Sequence, residues 1–507
     1  MTRLFSILAV VLATLSLDIS SSNANDVVVV CPADFQTALS PWVERRQAEG
    51  LAIKVLDSDT DAETLRGRII DAASETTRYV MLIGDAPVVG APCNKLKQTP
   101  ILYRPTTVTS KWGSTAVLSS DLLFGDFDRD DVPEAVVGRL PVDEPGQLSK
   151  LISRIIARES SQDFGPWRGR VQLVGGVGGF GFVADRAIES VTRSIVTSVL
   201  PTETRTSVAY ASPGHAFYPS GSNFTDAVLN RYETGSRFWV YAGHGRITEL
   251  DRVPNSVLGR PVLDQRSVKK LNRPAGESPI AVMLACYTGV MDAPEDSIAE
   301  EMILCDGGPI AVLAGSRVTM PYGNTTAAVG LINGVYDQRL PRLGDAWLNA
   351  LKQMQSDQPS EKSGTEMMID ALATVVSPTG TVLTDERREH MLLYNLIGDP
   401  TLRLNHPQVL SLESPTGVPA GQPIPLLVKS PIDGELTLTV DRPLGSITEG
   451  DANATTIASV RQSVSAKTDA RVEVKLPDEF QGPLVLRAHV AGDSQWASGA
   501  AKTFVRP

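Results

Sequence analysis

At 507 residues the chain exceeds what one hydrophobic core normally serves, so two or three domains are expected. Hydrophobic residues at 42% and charged residues at 21% are ordinary globular values that exclude wholesale disorder. A net charge of −11, with no run of Lys and Arg, argues against a nucleic-acid partner, whose phosphates need clustered cations.

Residues 1–24 carry Arg3, an apolar stretch from Leu4 to about Leu17 and a small-residue end at Ser22-Asn23-Ala24, the pattern of a signal peptide cut after Ala24. The apolar stretch is shorter than the ~20 residues a spanning helix needs, and no later stretch is long enough either. The expectation is an exported chain without a transmembrane anchor, destined for the periplasm, the exterior or the cell surface. Four cysteines in so large a chain make no disulfide framework; Cys31, Cys93 and Cys305 leave room for one bridge that the sequence does not pair.

From residue 25 the chain alternates strand and helix. Val27 to Val30, Leu51 to Leu56 and Tyr79 to Ile83 read as strands, with helices from Phe35 to Ala48 and Ala62 to Ala73 between them, the βαβ signature. Ala86 to Ser119 fades into loop, Ala135 to Val137 resumes a strand, and Val142 to Arg158 reads as a helix. Residues 25–165 thus form a first α/β subdomain. Within it, Asp126, Asp128 and Asp130 stand at every second position, as carboxylates do in calcium loops. The segment lacks the glycine and the terminal bidentate acid of an EF-hand, so a solvated acidic turn and a structural calcium site are both open.

A second α/β subdomain, 166–405, starts with a strand at Val171 to Val174. The loop that follows, Gly175 to Gly181, contains G-x-G-x-x-G, which on its own hints at a dinucleotide site. No ribose-binding acid ends the next strand, near Ser207 to Tyr210, and an exported protein seldom meets nicotinamide cofactors, so no cofactor is expected. A helix from Phe224 to Glu233 leads into Phe238 to Gly245, an apolar run ending on His244 between two glycines. Pro279 to Gly289 is a second such run and delivers Cys286 to a Gly-containing turn.

Both runs read as buried parallel strands, being short, rich in β-branched and aromatic residues, and bounded by turn signals. Sites form at the carboxyl ends of strands in open parallel sheets, so His244 and Cys286 are expected on one rim. A thiol with pKa about 8.5 needs a base to be a good nucleophile at neutral pH, and an imidazole is one. The N–H groups of Gly245 and Cys286 are candidates for an oxyanion hole. Beyond the Cys286 run come a helix from Ile298 to Leu304, a strand from Pro309 to Ala314, and helices from Gly344 to Gln355, Thr365 to Val375 and Asp385 to Leu396. His215, His390, His406 and His489 have no metal-ligand spacing and read as structural or surface residues. Residues 406–507 change texture to short alternating runs such as Glu435 to Val440 and Arg471 to Leu476, which read as an immunoglobulin-like β-sandwich.

The His-Gly and Ala-Cys pairs, Ser120-Asp121 with Phe124-Gly125-Asp126, Val137-Gly138-Arg139-Leu140-Pro141, and Tyr394 to Leu402 occur in an order that resembles the gingipain family of caspase-like cysteine peptidases. The resemblance implies a caspase-like parallel sheet followed by the sandwich. It also implies a secreted cysteine endopeptidase acting on proteins or peptides, with His244 and Cys286 as its catalytic dyad. In the arginine-cleaving members, an acidic third catalytic residue lies in the loop here formed by Gly175 to Gly181, which has no acid, and no long pro-segment precedes the first strand. Either the dyad works without an orienter, or the chain is an inactive peptidase fold serving as a binding or adhesion module. The same members carry a pocket acid at the opening of the next helix, where this chain offers Asp185 and Glu189. These imply a weak preference for basic residues at P1, with Tyr322 as a platform for the P1 side chain.

Overall fold

The computed structural model describes residues 25–179, 181–219, 223–254, 259–356, 362–377, 380–447 and 449–507. The expected signal peptide lies outside them. No helix among the described residues is long and apolar enough to cross a membrane.

Ten strands form the central sheet: β1 (Val27–Val30), β2 (Ile53–Leu56), β3 (Tyr79–Ile83), β4 (Val136–Leu140), β5 (Arg170–Gly175), β6 (Arg205–Tyr210), β7 (Phe238–Ala242), β8 (Ile280–Leu284), β9 (Ala311–Gly315) and β10 (Tyr394–Ile397). Their spatial order is β2-β1-β3-β4-β10-β9-β8-β7-β5-β6. Every neighbouring pair is parallel except β9 with β10, which run antiparallel. The two α/β subdomains read from the sequence are therefore the two halves of one sheet, each parallel within itself. They are joined at β10.

That seam is the main departure from the sequence reading, which runs a helix from Asp385 through Leu396. The helix ends at Leu393, and Tyr394–Ile397 turns into a fully buried strand. The competing signals are local continuity of a helical pattern and a four-residue apolar run. The run wins because β4 and β9 offer it two ladders at once. The stretch from Ala86 to Ser119, read as loop, also contains a small antiparallel pair, Leu102–Pro105 with Val117–Ser120.

Two sequence motifs hold the first half together. Arg139 in β4 is fully buried and spends all its donors: Nε and Nη2 on the Asp121 carboxylate at 2.7 and 2.6 Å, and the remaining N–H groups on the carbonyls of Gly84, Thr99 and Pro100. Asp399, just past β10, accepts from Trp42 Nε1 and Arg46 Nη2, both at 2.6 Å. Arg46 in turn pairs with Glu159 at the end of the helix Pro145–Glu159. The closing segment of the α/β region is thus pinned to its first helix, Gln36–Ala48, by buried charge.

Past residue 405 a second core, with Leu436, Leu438, Leu486 and Val490 at its centre, lies between two sheets. One is built mainly of Gly434–Asp441, Thr456–Val464, Gly482–Ala491 and Trp496–Arg506; the other of Ser411–Glu413, Ile424–Lys429 and Ala470–Val474. This β-sandwich docks on β6, the exposed edge of the large sheet. The Asn453 amide there donates to the Val208 carbonyl at 2.9 Å and accepts from the Val208 N–H at 2.7 Å, as a neighbouring strand would.

Candidate active site

Strands β7 and β8 are adjacent and parallel, with Ala242 paired to Leu284. His244 and Cys286 each lie two residues beyond that pair, so the backbone carries both out of the sheet at the same level of the same rim. The turns that follow are packed closely. A Cβ on Gly245 would lie 2.6 Å from the Cys286 carbonyl oxygen, so the residue after His244 has no room for a side chain. Among the described residues, the N–H groups of Gly245 and Cys286 donate to no acceptor at this rim.

Cys286 is half-buried. Its Sγ accepts the Thr319 N–H at 3.3 Å and lies 3.5 Å from the Thr319 carbonyl. Tyr287, next in the chain, has φ of 57° and donates its N–H to the Arg317 carbonyl. The Cys286 turn and the loop after β9 are therefore locked together, and Arg317 is itself anchored on buried Asp292 at 2.6 Å. All four cysteines are free, so the single bridge left open by the sequence is not formed. Cys31, by contrast with Cys286, is fully buried, and desolvation pushes its thiol up to about 12.

The Gly-rich loop after β5 lies against the histidine turn. A Cβ on Gly179 would come within 3.8 Å of the His244 Nε2. Sequence reasoning missed an acid that borders this loop. Asp251, from the far side of the turn after His244, accepts the Val177 N–H at 2.9 Å and the His244 N–H at 3.2 Å on the same oxygen. The Tyr241 hydroxyl closes the turn by donating to the His244 carbonyl at 2.7 Å. Asp251 thus ties the Gly-rich loop to the histidine through backbone groups. Its position seven residues past His244, in an irregular segment, gives no periodic signal that could single it out.

A cavity of about 530 Å³ opens beside Cys286, roofed in part by the helices Phe182–Ser194 and Pro321–Ile332. Asp185 and Glu189 both line it, as their four-residue spacing anticipates. Asp185 turns back to accept the Gly179 N–H, and Glu189 lies 3.2 Å from Arg193 and 3.9 Å from His215 Nε2. His215, read as structural or surface from the sequence, lines the same cavity, stacked 4.4 Å from the Tyr210 ring. Burial lowers its pKa, the facing Glu189 acting the other way.

Tyr322 is not placed to be a platform for a substrate side chain. It is 7% exposed, it packs with Val191, Val329 and Ile369, and its hydroxyl is held by Asp370 and Arg387. The reason is its place in the helix, where Pro321 and Asn324 face the cavity and Tyr322 points into the helical layer behind. His390, packed against Gly323 of the same helix, is a wholly buried, neutral ring, donating Nδ1–H to Glu386 O and accepting the Met320 N–H on Nε2. Burial drops its pKa to about 4.

Two groups of three carboxylates come close enough to hold a cation: Asp126, Asp128 and Asp130, and Asp85, Asp296 and Glu300. In the first, Asp126 is already engaged by Arg66 at 2.7 Å and by the N–H groups of Arg129, Asp130 and Asp131. The second was not visible in the sequence because its members come from separate elements. Burial, together with the charge of Asp85, raises Glu300 well above the usual carboxylate range, and burial raises Asp85 to about 7.

Residues 20–405 match the model of peptidase family C25. The chain belongs to that family. Among solved structures it is similar to the Arg-specific cysteine proteinase gingipain R (RgpB), at 15% identity over 96% of this chain and 99% of the other, with a TM-score of 0.54. A structure described as a protease aligns at 14% identity over 96% and 98%, with a TM-score of 0.55. The complex of Porphyromonas gingivalis RgpB pro- and mature domains aligns at 15% identity over 95% and 100%, with a TM-score of 0.54. At these identities the likeness establishes the fold: a peptidase-type α/β region followed by a β-sandwich. No curated protein sequence matches the chain.

Proposed function

We propose that this member of peptidase family C25 is an exported cysteine endopeptidase that hydrolyses peptide bonds through His244 and Cys286. The observation that supports the reading is the register of β7 and β8, in which the backbones of His244 and Cys286 each leave the sheet two residues past the Ala242–Leu284 pair, with Cys286 lining a cavity. His244 takes the thiol proton as Cys286 Sγ attacks the scissile carbonyl. The N–H groups of Gly245 and Cys286 receive the negative charge that develops on the carbonyl oxygen. Collapse breaks the C–N bond, and His244 returns its proton to the leaving amine, giving an acyl-enzyme. Water, deprotonated by the same imidazole, then releases the acid and restores the thiol. No cofactor enters. Export by residues 1–24 and an immunoglobulin-like character for residues 406–507 belong to the same reading.

One observation favours a second reading, an inactive peptidase fold retained as a binding module. The Gly175 to Gly181 loop has no acid, and Asp251 reaches the histidine through its backbone N–H. A peptidyl acyloxymethyl ketone separates the two, because it modifies only a cysteine whose base is working. Labelling at Cys286 that disappears in His244→Ala supports the peptidase. Absence of labelling in a protein whose Cys286 still reacts with iodoacetamide leaves the binding module.

A further inference from the structure

The floor of the cavity beside Cys286 is one face of the sheet. Leu173 on β5, Val240 on β7 and Leu284 on β8 all point to it, and Cys286 continues the β8 row two residues further on. On strands with a neighbour on each side, as β5, β7 and β8 are, such residues are normally sealed by helices. On the opposite face Tyr241 and Met283 are fully buried, whereas Val240 and Leu284 are only half-buried. The roof, with Ile195 beyond one helix and Ala328 and Leu331 on the other, stands off the floor and leaves the space open. An apolar void of this size costs stability unless something fills it, and this one begins at the nucleophile.

The charges around it are already committed. Asp185 and Glu189 are the only acids among the described lining residues. Asp185 holds the Gly179 N–H with both oxygens, and Glu189 faces Arg186, Arg193 and His215. A guanidinium or ammonium entering the cavity would lose its hydration without a free carboxylate to replace it. We propose that this cavity is the specificity pocket of the peptidase and takes a large apolar side chain, Leu, Met or Phe, at the residue before the scissile bond. This rests on the peptidase reading above and replaces the basic preference expected from the sequence. The sandwich takes part, since Leu444 joins the lining from the loop after Gly434–Asp441.

The test uses four acyloxymethyl ketone peptides that differ only at P1, as Phe, Leu, Ala or Arg, on the full-length protein. Expected second-order labelling rates at Cys286 place Phe and Leu at least about 10-fold above Ala and about 100-fold above Arg, the range that one pocket contact supplies. Ala328→Phe and Ile195→Phe fill the cavity from two separate helical segments. Each should cut the Phe-to-Ala rate ratio about 10-fold, and either variant suffices if the other does not fold. Arg labelling as fast as Phe, equal rates across all four, or a ratio unchanged in a folded variant would overturn the pocket assignment while leaving the peptidase standing. Labelling by none of the four, with iodoacetamide still modifying Cys286, would overturn the peptidase reading and this one with it.

Discussion

Removing the Asp251 carboxylate should uncouple the Gly-rich loop from the histidine turn. One oxygen of Asp251 receives two N–H groups, from Val177 and His244, and it occupies the space where a Gly176 Cβ would be, 2.2 Å away. Hydrogen bonds to a charged group contribute about 1.5–3 kcal/mol each; because Asp251 is half exposed the lower end applies, about 2–3 kcal/mol for the pair. Spread over a domain of this size, with about 2 cal/mol/K of unfolding entropy per residue, that is a fall in Tm of only about 3–4 °C. The catalytic consequence is larger, because a displacement of about 1 Å in a reacting group costs about 100-fold. Asp251→Ala should therefore lower the labelling rate of a peptidyl acyloxymethyl ketone about 100-fold. Iodoacetamide, which needs no alignment with His244, should modify Cys286 within about 3-fold of the native rate. Asp251→Asn, whose amide oxygen still accepts both N–H groups, should fall between. Peptide labelling within about 3-fold of native in Asp251→Ala would refute the positioning role, and so would a parallel loss with iodoacetamide.

Arg139→Met strands the Asp121 carboxylate and three carbonyls in the interior and should cost about 3–5 kcal/mol, whereas Arg139→Met with Asp121→Leu should recover a substantial part; thermal unfolding of the double-mutant cycle decides, and additive losses would count against the pair. In calcium-free protein the raised pKa values of Asp85 and Glu300 mean the folded state keeps protons the unfolded chain releases. Their contribution is thus fully present below the ordinary carboxylate range and is lost as pH rises through the raised folded-state values, about 7 for Asp85. Glu300→Gln should flatten that part of the Tm-against-pH curve, and an unchanged slope between pH 5 and 8 would contradict it. Carboxylates that hold protons must release them to take a cation, so calcium added to chelator-treated protein should raise Tm more at pH 8 than at pH 5 if the Asp85 group binds it. Loss of a calcium response in Asp128→Asn/Asp130→Asn would assign the ion to the Asp126 turn instead, and no response at either pH would remove calcium from the account.

What the sequence disclosed follows from the kind of signal each feature leaves. Short apolar runs closed by glycine gave the starts of β7 and β8 within a residue, though the strands stop at Ala242 and Leu284, before the glycines, and their parallel pairing followed from the alternation of strand and helix. Tyr394–Ile397 escaped because four residues of strand beside a helix carry no period of their own; only the ladders with β4 and β9 define it. The Val137 to Pro141 and Ser120-Asp121 motifs stood out as words, but that they are one object, a guanidinium and its carboxylate, is a tertiary fact. Asp251 and the Asp85 group are contacts between distant loops, and a cavity is an absence of atoms, which no residue spells.

The same alternation that exposes the cavity also explains how chemistry and specificity can separate in this fold. Cys286 shares a face with Val282 and Leu284 because side chains repeat every second residue, and a slip of one position would turn the sulfur to the opposite face, where Met283 is sealed. The ladder with β7 forbids that slip, so the placement of His244 and Cys286 depends on backbone hydrogen bonds and on the crowding at Gly245. None of the cavity's floor or roof side chains takes part in the ladder. Val240, Leu284, Ile195 and Ala328 can change in size while the register stays fixed, so the proposed pocket can vary independently of the strand ends. A family resemblance carried by strand-end motifs therefore transmits the placement of His244 and Cys286 far better than it transmits the preferred substrate. The committed acids at Asp185 and Glu189 are the particular case of that rule in this chain.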